Sequence, residues 1–374
     1  MRRAIVLWAA CATLALAACR PPLRVVVTEP PPVPTATPTP TTFDAVIRVA
    51  LGDAGTAEAR AGLEAVQAAL SAANAGNLCN GRVRVTATAL SLPRDAEAPG
   101  ALNAARDAAF KLAKDDTTWL LITDADNGIV RVLLPELGVA AEQPIPIVGL
   151  SASAIGFTKP AEAAEPELYY PIGRPSLLRF APDEATRAAA LATWAVANGV
   201  REVAVIEDAR RPGATAAVIA ALGPLSVTMR GAPTPTMTAT ITRTNPGLVV
   251  YAGERATEAG QLLAGLRAAG YRGAFAGGAA LGAPGFEVAA GAAAEGALMA
   301  EATSTTVERI SQATKLAVTA LGKVCADPSR EAFRKALMAS KDVGGVSLSA
   351  MGDVSPLPLR VLRRSSGAWV PVAR

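Results

Sequence analysis

The sequence predicts an α/β protein of two lobes, each a parallel sheet covered by helices. Two observations carry this. Beyond residue 43, short β-branched or apolar runs alternate with longer segments of helical period. Repeated βα units of this kind build parallel sheets with helices on both faces, and there are too many of them here for one sheet. About 330 residues follow the N-terminal region, enough for two separate cores.

In the first series, 46–51 reads as a β-branched strand and 57–73 as a helix, with Leu63, Val66, Gln67 and Leu70 on one face. Residues 83–90 alternate as a strand does, 98–114 is helical, and 119–123 and 145–150 are buried strands. In the second series, Pro182 opens a helix at N1 or nearby, running to residue 198. Strand 202–206, helix 213–222, strands 225–229 and 248–251 and helix 257–269 follow, with Gly270 at the C′ position. Short strands at 274–277 and 296–300 precede helices near 305–321 and 329–340. In folds of this class ligands bind beyond the carboxyl ends of the strands, which makes a gap between facing lobes the natural pocket.

The N-terminus is of another kind. Arg2 and Arg3 precede the uncharged apolar run Ala4 to Ala18, which at 15 residues is shorter than a membrane span and fits the h-region of a secretory signal. The run ends in Leu16-Ala17-Ala18-Cys19, which resembles the lipobox of bacterial lipoproteins, so residues 1–18 are expected to leave and Cys19 to carry the lipid. An ordinary signal with a chance cysteine is the alternative. Residues 21 to 43 hold eight prolines and six threonines. That composition favours extended polyproline II chain over a packed core. Residues 19–43 are therefore a linker, either an unstructured tail or a spacer reaching roughly 70 Å at ~3.1 Å per residue.

The formal charge is +4, and loss of Arg2 and Arg3 leaves +2. The basic residues are scattered rather than interleaved with aromatics in a block, which argues against a nucleic-acid partner. There is no histidine, which removes the commonest general base and transition-metal ligand, and no cysteine cluster replaces it. Asp124-Ala125-Asp126-Asn127-Gly128 has the flavour of a calcium loop, but its glycine and Glu136 each fall one place out of register. No enzyme activity, cofactor or metal is expected. With Cys11 in the signal and Cys19 lipidated, Cys79 and Cys325 remain in a compartment that permits disulfides. They are expected to pair; two separate buried thiols are the alternative.

Several segments, in chain order, carry a family resemblance. Pro146-Ile147-Val148-Gly149-Leu150-Ser151-Ala152-Ser153-Ala154 is one, and Leu178-Arg179-Phe180-Ala181-Pro182-Asp183 another. Val249-Val250-Tyr251-Ala252-Gly253 leads to Glu258-Ala259-Gly260-Gln261-Leu262-Leu263, then Leu266-Arg267-Ala268-Ala269-Gly270-Tyr271 and Gly273-Ala274-Phe275. Val346 to Asp353 closes the series. Together these resemble the type I periplasmic binding proteins of the Leu/Ile/Val-binding kind, over most of residues 45 to 365. The resemblance implies three crossings between lobes, near residues 178, 279 and 346. Lobe 1 would hold 44–178 and 280–345; lobe 2 would hold 179–279 and 346–374.

The resemblance also implies a ligand set. Ser151, Ala152 and Ser153 match the loop that offers amides and a hydroxyl to a ligand carboxylate, unless they form a plain polar turn. Glu258 matches the acidic residue that receives a ligand ammonium, or is a solvated helix-start carboxylate. Asp126 and Asp208 lie in loops expected to face the cleft. The chain departs from the family at Pro212, where an aromatic usually covers the ligand, and in residues 52–56, which also lack one. Asp53, Asp126, Asp208 and Glu258 would make an acidic cleft suited to a cationic or amide-bearing ligand. Two functions follow as expectations. One is a lipid-anchored extracytoplasmic receptor that delivers an amino acid or amide-like solute to an ABC permease. The other is a sensory or protein-interaction lipoprotein on the same fold, which the missing aromatics favour.

Overall fold

A computed structural model describes residues 42–52, 55–139 and 143–372. The predicted signal, Cys19, almost all of the linker, and Asp53 lie outside the described residues.

Lobe 1 is built first. Strand β1 (Phe43–Ala50) leads to α1 (Ala57–Ala75), whose first turn is capped by the Thr56 side chain accepting from the Ala59 N–H. Then come β2 (Val83–Ala89), α2 (Ala101–Ala113), β3 (Thr118–Thr123), α3 (Asn127–Val139), β4 (Ile147–Gly149) and β5 (Leu177–Arg179). The five strands pair in parallel in the order β2-β1-β3-β4-β5. Every residue of β3 is buried, as a central strand covered on both faces requires.

Lobe 2 follows with α4 (Glu184–Ala197), β6 (Glu202–Ile206), α5 (Pro212–Ala221), β7 (Ser226–Gly231), α6 (Pro235–Thr244), β8 (Leu248–Tyr251), α7 (Ala256–Ala268), β9 (Ala274–Gly277), α8 (Pro284–Ala290) and β10 (Leu298–Ala302). The chain returns to lobe 1 for α9 (Thr306–Lys323), α10 (Arg330–Met338) and the short ribbon β11 (Ser347–Leu348) and β12 (Val354–Ser355). It ends in lobe 2 with the hairpin β13 (Leu359–Ser365) and β14 (Ala368–Pro371). The second sheet has the order β14-β13-β10-β9-β8-β6-β7, antiparallel only at β13 and β14.

Each sheet has two cores. Val66 of α1 and Ala317 of α9 pack on one face of sheet 1, while Leu133 of α3 and Ala105 of α2 pack on the other. In lobe 2, Leu263 of α7 and Phe286 of α8 cover one face, and Leu191 of α4 and Val218 of α5 the other. Cys79 and Cys325 form the expected disulfide, 246 residues apart in sequence and both within lobe 1.

The chain leaves sheet 1 after β5 and enters lobe 2 at α4, so the first crossing falls at 180–183. The other two come later than expected, at 303–305 and 356–358. Residues 280–302 belong to lobe 2 because β10 takes its hydrogen bonds from β9 and β13 and buries Leu298 and Ala300 against Leu248 and Val250. Residues 346–355 belong to lobe 1 because Val346, Leu348 and Val354 bury beside Phe333 and Leu337. Pro182 precedes the helix cap rather than opening the helix: Asp183 is the N-cap of α4, accepting from the Thr186 N–H at 2.6 Å.

Candidate ligand site between the lobes

The carboxyl ends of β3 and β4 face those of β8 and β9 across a cavity of about 240 Å³. Asp126, Asn127, Ser151 and Ser153 line it from lobe 1, and Tyr251 and Glu254 from lobe 2. Lobe 1 builds its wall from helix-start chemistry. Asp126 Oδ1 accepts from the Ile129 N–H at 2.9 Å, capping α3, and Oδ2 accepts from the Ala96 N–H at 2.8 Å. Burial pushes the Asp126 carboxyl up. Asp124 accepts from the Gly52 N–H at 2.9 Å and lies 3.3 Å from Arg94. The 124–128 segment is thus the exit of a strand into a helix cap.

Of the six expected ligand residues, three reach the cavity: Asp126, Ser151 and Ser153. Ala152 is buried against Gly149, away from the lining. Asp208 instead grips its neighbour, accepting from Arg210 Nε at 2.8 Å and Nη2 at 2.7 Å. Glu258 stands in the first turn of α7, 3.5 Å from Arg255, outside the lining. Of the four carboxylates expected to make the cleft acidic, Asp208 and Glu258 are met by arginines outside the lining, Asp126 lines the cavity with both oxygens on backbone N–H groups, and Asp53 lies outside the described residues.

A lobe 2 carboxylate that meets a lobe 1 arginine is Glu254, in the loop between β8 and α7. Its Oε2 accepts from Arg131 Nη1 at 2.5 Å, and its Oε1 accepts from Arg131 Nη2 at 2.7 Å. Oε1 also accepts from Asn127 Nδ2 at 2.7 Å and from Arg211 Nη1 at 2.5 Å. Arg131 and Asn127 belong to α3 in lobe 1; Arg211 precedes α5 in lobe 2 and also donates to Glu184 Oε1 at 2.7 Å. Burial opposes the Glu254 charge, but Arg131 and then Arg211 hold its carboxyl below the usual range. Asn127 completes the seam: its Oδ1 accepts from the Ser153 N–H at 2.7 Å and the Ala154 N–H at 3.0 Å. Of the Ser151–Ser153 amides expected to receive a ligand carboxylate, that of Ser153 is thus already satisfied by a side chain. Glu254 directly follows the Tyr251-Ala252-Gly253 strand end, so its position beyond a strand terminus was the available sequence signal. Arg131 and Arg211 had none, since only the lobe arrangement brings them together.

Glu184 is affected differently. Burial, and then the Glu254 carboxylate, push its carboxyl up to about 7 despite Arg211. A folded value above the unfolded 4.5 means that the folded state keeps a proton the unfolded chain loses in between. Stability should therefore fall as pH rises from about 5 to about 7 and level off above. Melting curves across this range should show that decline, and Glu184→Gln should flatten it; identical slopes in the two proteins would refute the assignment.

Two more contacts tie the lobes. Glu97 of lobe 1 accepts at the start of α7 from the Thr257 N–H at 3.1 Å and hydroxyl at 2.8 Å, and from Arg255 Nε at 3.2 Å. Glu162 of lobe 1 accepts from the Ala214 N–H at 2.8 Å at the start of α5. Beside it, a Cβ on Gly213 would stand 1.7 Å from the Ala161 carbonyl oxygen. Gly213→Ala should wedge the lobes apart at a cost of about 1–3 kcal/mol to the closed form. A larger radius of gyration in solution scattering is the expected result, and an unchanged one would show that the contact does not control closure.

No protein-family model and no curated protein matches this chain. Solved structures do. The ABC transporter substrate-binding protein from Desulfitobacterium hafniense, in complex with Leu, is 14% identical; the match covers 88% of this chain and 100% of that one, with a TM-score of 0.63. A branched-chain amino acid transporter substrate-binding protein from Streptococcus pneumoniae, in complex with isoleucine, is 15% identical, covering 87% and 97% at a TM-score of 0.61. A solute-binding protein of an ABC transporter from Rhodopseudomonas palustris, in complex with benzoate, is 15% identical, covering 88% and 95% at 0.55. The fold is that of the type I periplasmic binding proteins.

Proposed function

We propose that this chain is an extracytoplasmic solute-binding lipoprotein that captures a small polar ligand, an amino acid or amide-like molecule, between two hinged lobes for an ABC permease. The observation that carries this is the cavity itself. It is formed jointly by the strand-end loops of two lobes joined by three crossings, the geometry in which ligand capture and lobe closure are one event. Its volume of about 240 Å³ lies below the roughly 300–1,000 Å³ of drug-sized sites and suits a metabolite of amino-acid size. Ser151, Ser153 and Asp126 supply its polar groups from lobe 1. The amino-acid and benzoate complexes of the similar structures are consistent with this scale of ligand.

In this reading residues 1–18 are a signal, Cys19 carries the lipid, and the proline- and threonine-rich linker holds the lobes off the membrane. Among the described residues no helix is long and apolar enough to cross a membrane. The test is to release and identify, by mass spectrometry, small molecules that co-purify with the protein, and to confirm each by thermal shift. A released amino acid, amide or small acid that raises the melting temperature saturably supports the reading. A protein that carries nothing and responds to no amino acid, amide, amine or carboxylate refutes it.

A further inference from the structure

The seam at Glu254 has the composition of a carboxylate-binding site with its carboxylate already in place. Two guanidiniums and a carboxamide converge on one half-buried carboxylate, and the pairing with Arg131 is two-pronged, at 2.5 and 2.7 Å. Arg131 and Asn127 donate from lobe 1 and Arg211 from lobe 2, and the carboxylate stands on a lobe 2 loop beyond the end of β8. The seat adjoins the cavity, since Asn127 and Glu254 line both. It also has spare donor capacity. Arg211 is 8% exposed, and among the described residues its buried Nη2 has no hydrogen-bond partner.

We propose that Glu254 is a tethered internal ligand: it fills a carboxylate seat made by Arg131, Arg211 and Asn127 and closes the lobes in the absence of solute. A carboxylate-bearing solute then binds by competing with Glu254 for these donors. This rests on the solute-binding reading and narrows its ligand class. Three lines meet here. The bonds from Arg131 and Asn127 cross the hinge to Glu254, while Arg211 holds the same carboxylate from within lobe 2. The neighbouring Ser153 and Ala154 amides are capped by Asn127, so the guanidiniums are the stronger remaining anion donors at this point of the cleft. Glu97 and Glu162 reinforce the same closed arrangement from the opposite lobe, each at the start of a lobe 2 helix.

The test is chemical rescue. Glu254→Ala leaves two arginines facing an empty seat, and sodium acetate is the probe. Expected results are a larger radius of gyration for E254A than for wild type in solution scattering, and its return to the wild-type value as acetate is added. The melting temperature of E254A should rise saturably with acetate, while wild type shows no response beyond that to sodium chloride at equal ionic strength. Adding Arg131→Gln to E254A should abolish the rescue. If E254A does not fold, Glu254→Gln keeps the shape and removes the charge, and should show the same opening. A variant that stays as closed as wild type, or acetate effects equal in both proteins, overturns the proposal. The two readings fail separately. A native solute without a carboxylate removes the ligand-class assignment and leaves solute binding intact; rescue by acetate in a protein that binds no solute does the reverse.

Discussion

Replacing both Cys79 and Cys325 with serine should lower the unfolding free energy by about 5 kcal/mol, the largest loss expected from any small change in this chain. The bond closes a loop of 246 residues, and in the chain-entropy model the constraint on the unfolded ensemble grows with the logarithm of that length. The double variant avoids leaving a lone thiol. Its folded state should be little altered, because α1 and α9, next to the two cysteines, still pack through Val66 and Ala317. A drop in melting temperature on the order of 10 °C is the expected result. The radius of gyration should not change, since the bond lies within lobe 1 and does not span the cleft. A melting temperature within a degree or so of wild type would mean that residual structure in the unfolded chain already supplies the constraint.

Arg187→Met should cost about 3–5 kcal/mol, the loss typical of one partner removed from a buried ion pair. Arg187 is 2% exposed. Its Nε donates to the Pro182 carbonyl at 3.1 Å, and its Nη1 to the Ala300 carbonyl at 2.5 Å and to Glu301 Oε2 at 2.8 Å. Removing the guanidinium strands two carbonyls and leaves Glu301 with Arg309 at 3.8 Å. The pH dependence should change with it. Burial opposes the Glu301 charge, but Arg187 and then Arg309 hold its folded value below 4.5. Its contribution is therefore present above that pH and is lost as pH falls through the lowered value. In the variant the carboxyl rises, so acid unfolding begins at higher pH. Urea unfolding at neutral pH measures the loss, and adding Glu301→Gln should recover part of it by removing the stranded charge. A loss well under 1 kcal/mol, or no recovery in the double variant, would show that the pair does not stabilise this part of the cleft.

The elements legible in the sequence share a property: their pattern is local. The apolar runs of β3 and β8 are buried at every position, and each was read as a strand. Gly270, at φ 96°, sits one residue beyond the C-cap of α7, where a left-handed residue ends a helix. Where the local pattern is ambiguous the element is not legible in the sequence. In α3 apolar residues on most sides and Pro135 within the helix obscure the period. In α6 threonines alternate with few apolar residues, and Ile241 is the one buried side chain. The strand near β10 was legible, but its sheet was not, because nothing in Leu298–Ala302 records that β9 and β13 lie beside it.

By itself the sequence determined the two βα series and left Cys79 and Cys325 as the two cysteines within them. Only the tertiary structure decided which carboxylate meets Arg131 across the cleft. Glu258 was the natural choice along the chain, but Ala259, Leu262, Leu263 and Leu266 commit α7 to the core and turn Glu258 toward Arg255. Glu254, still in the loop, is left to meet Arg131, 123 residues away in sequence. Periodicity encodes which face of a helix is buried. It does not encode which charges from two separate sheets meet when those sheets close on each other.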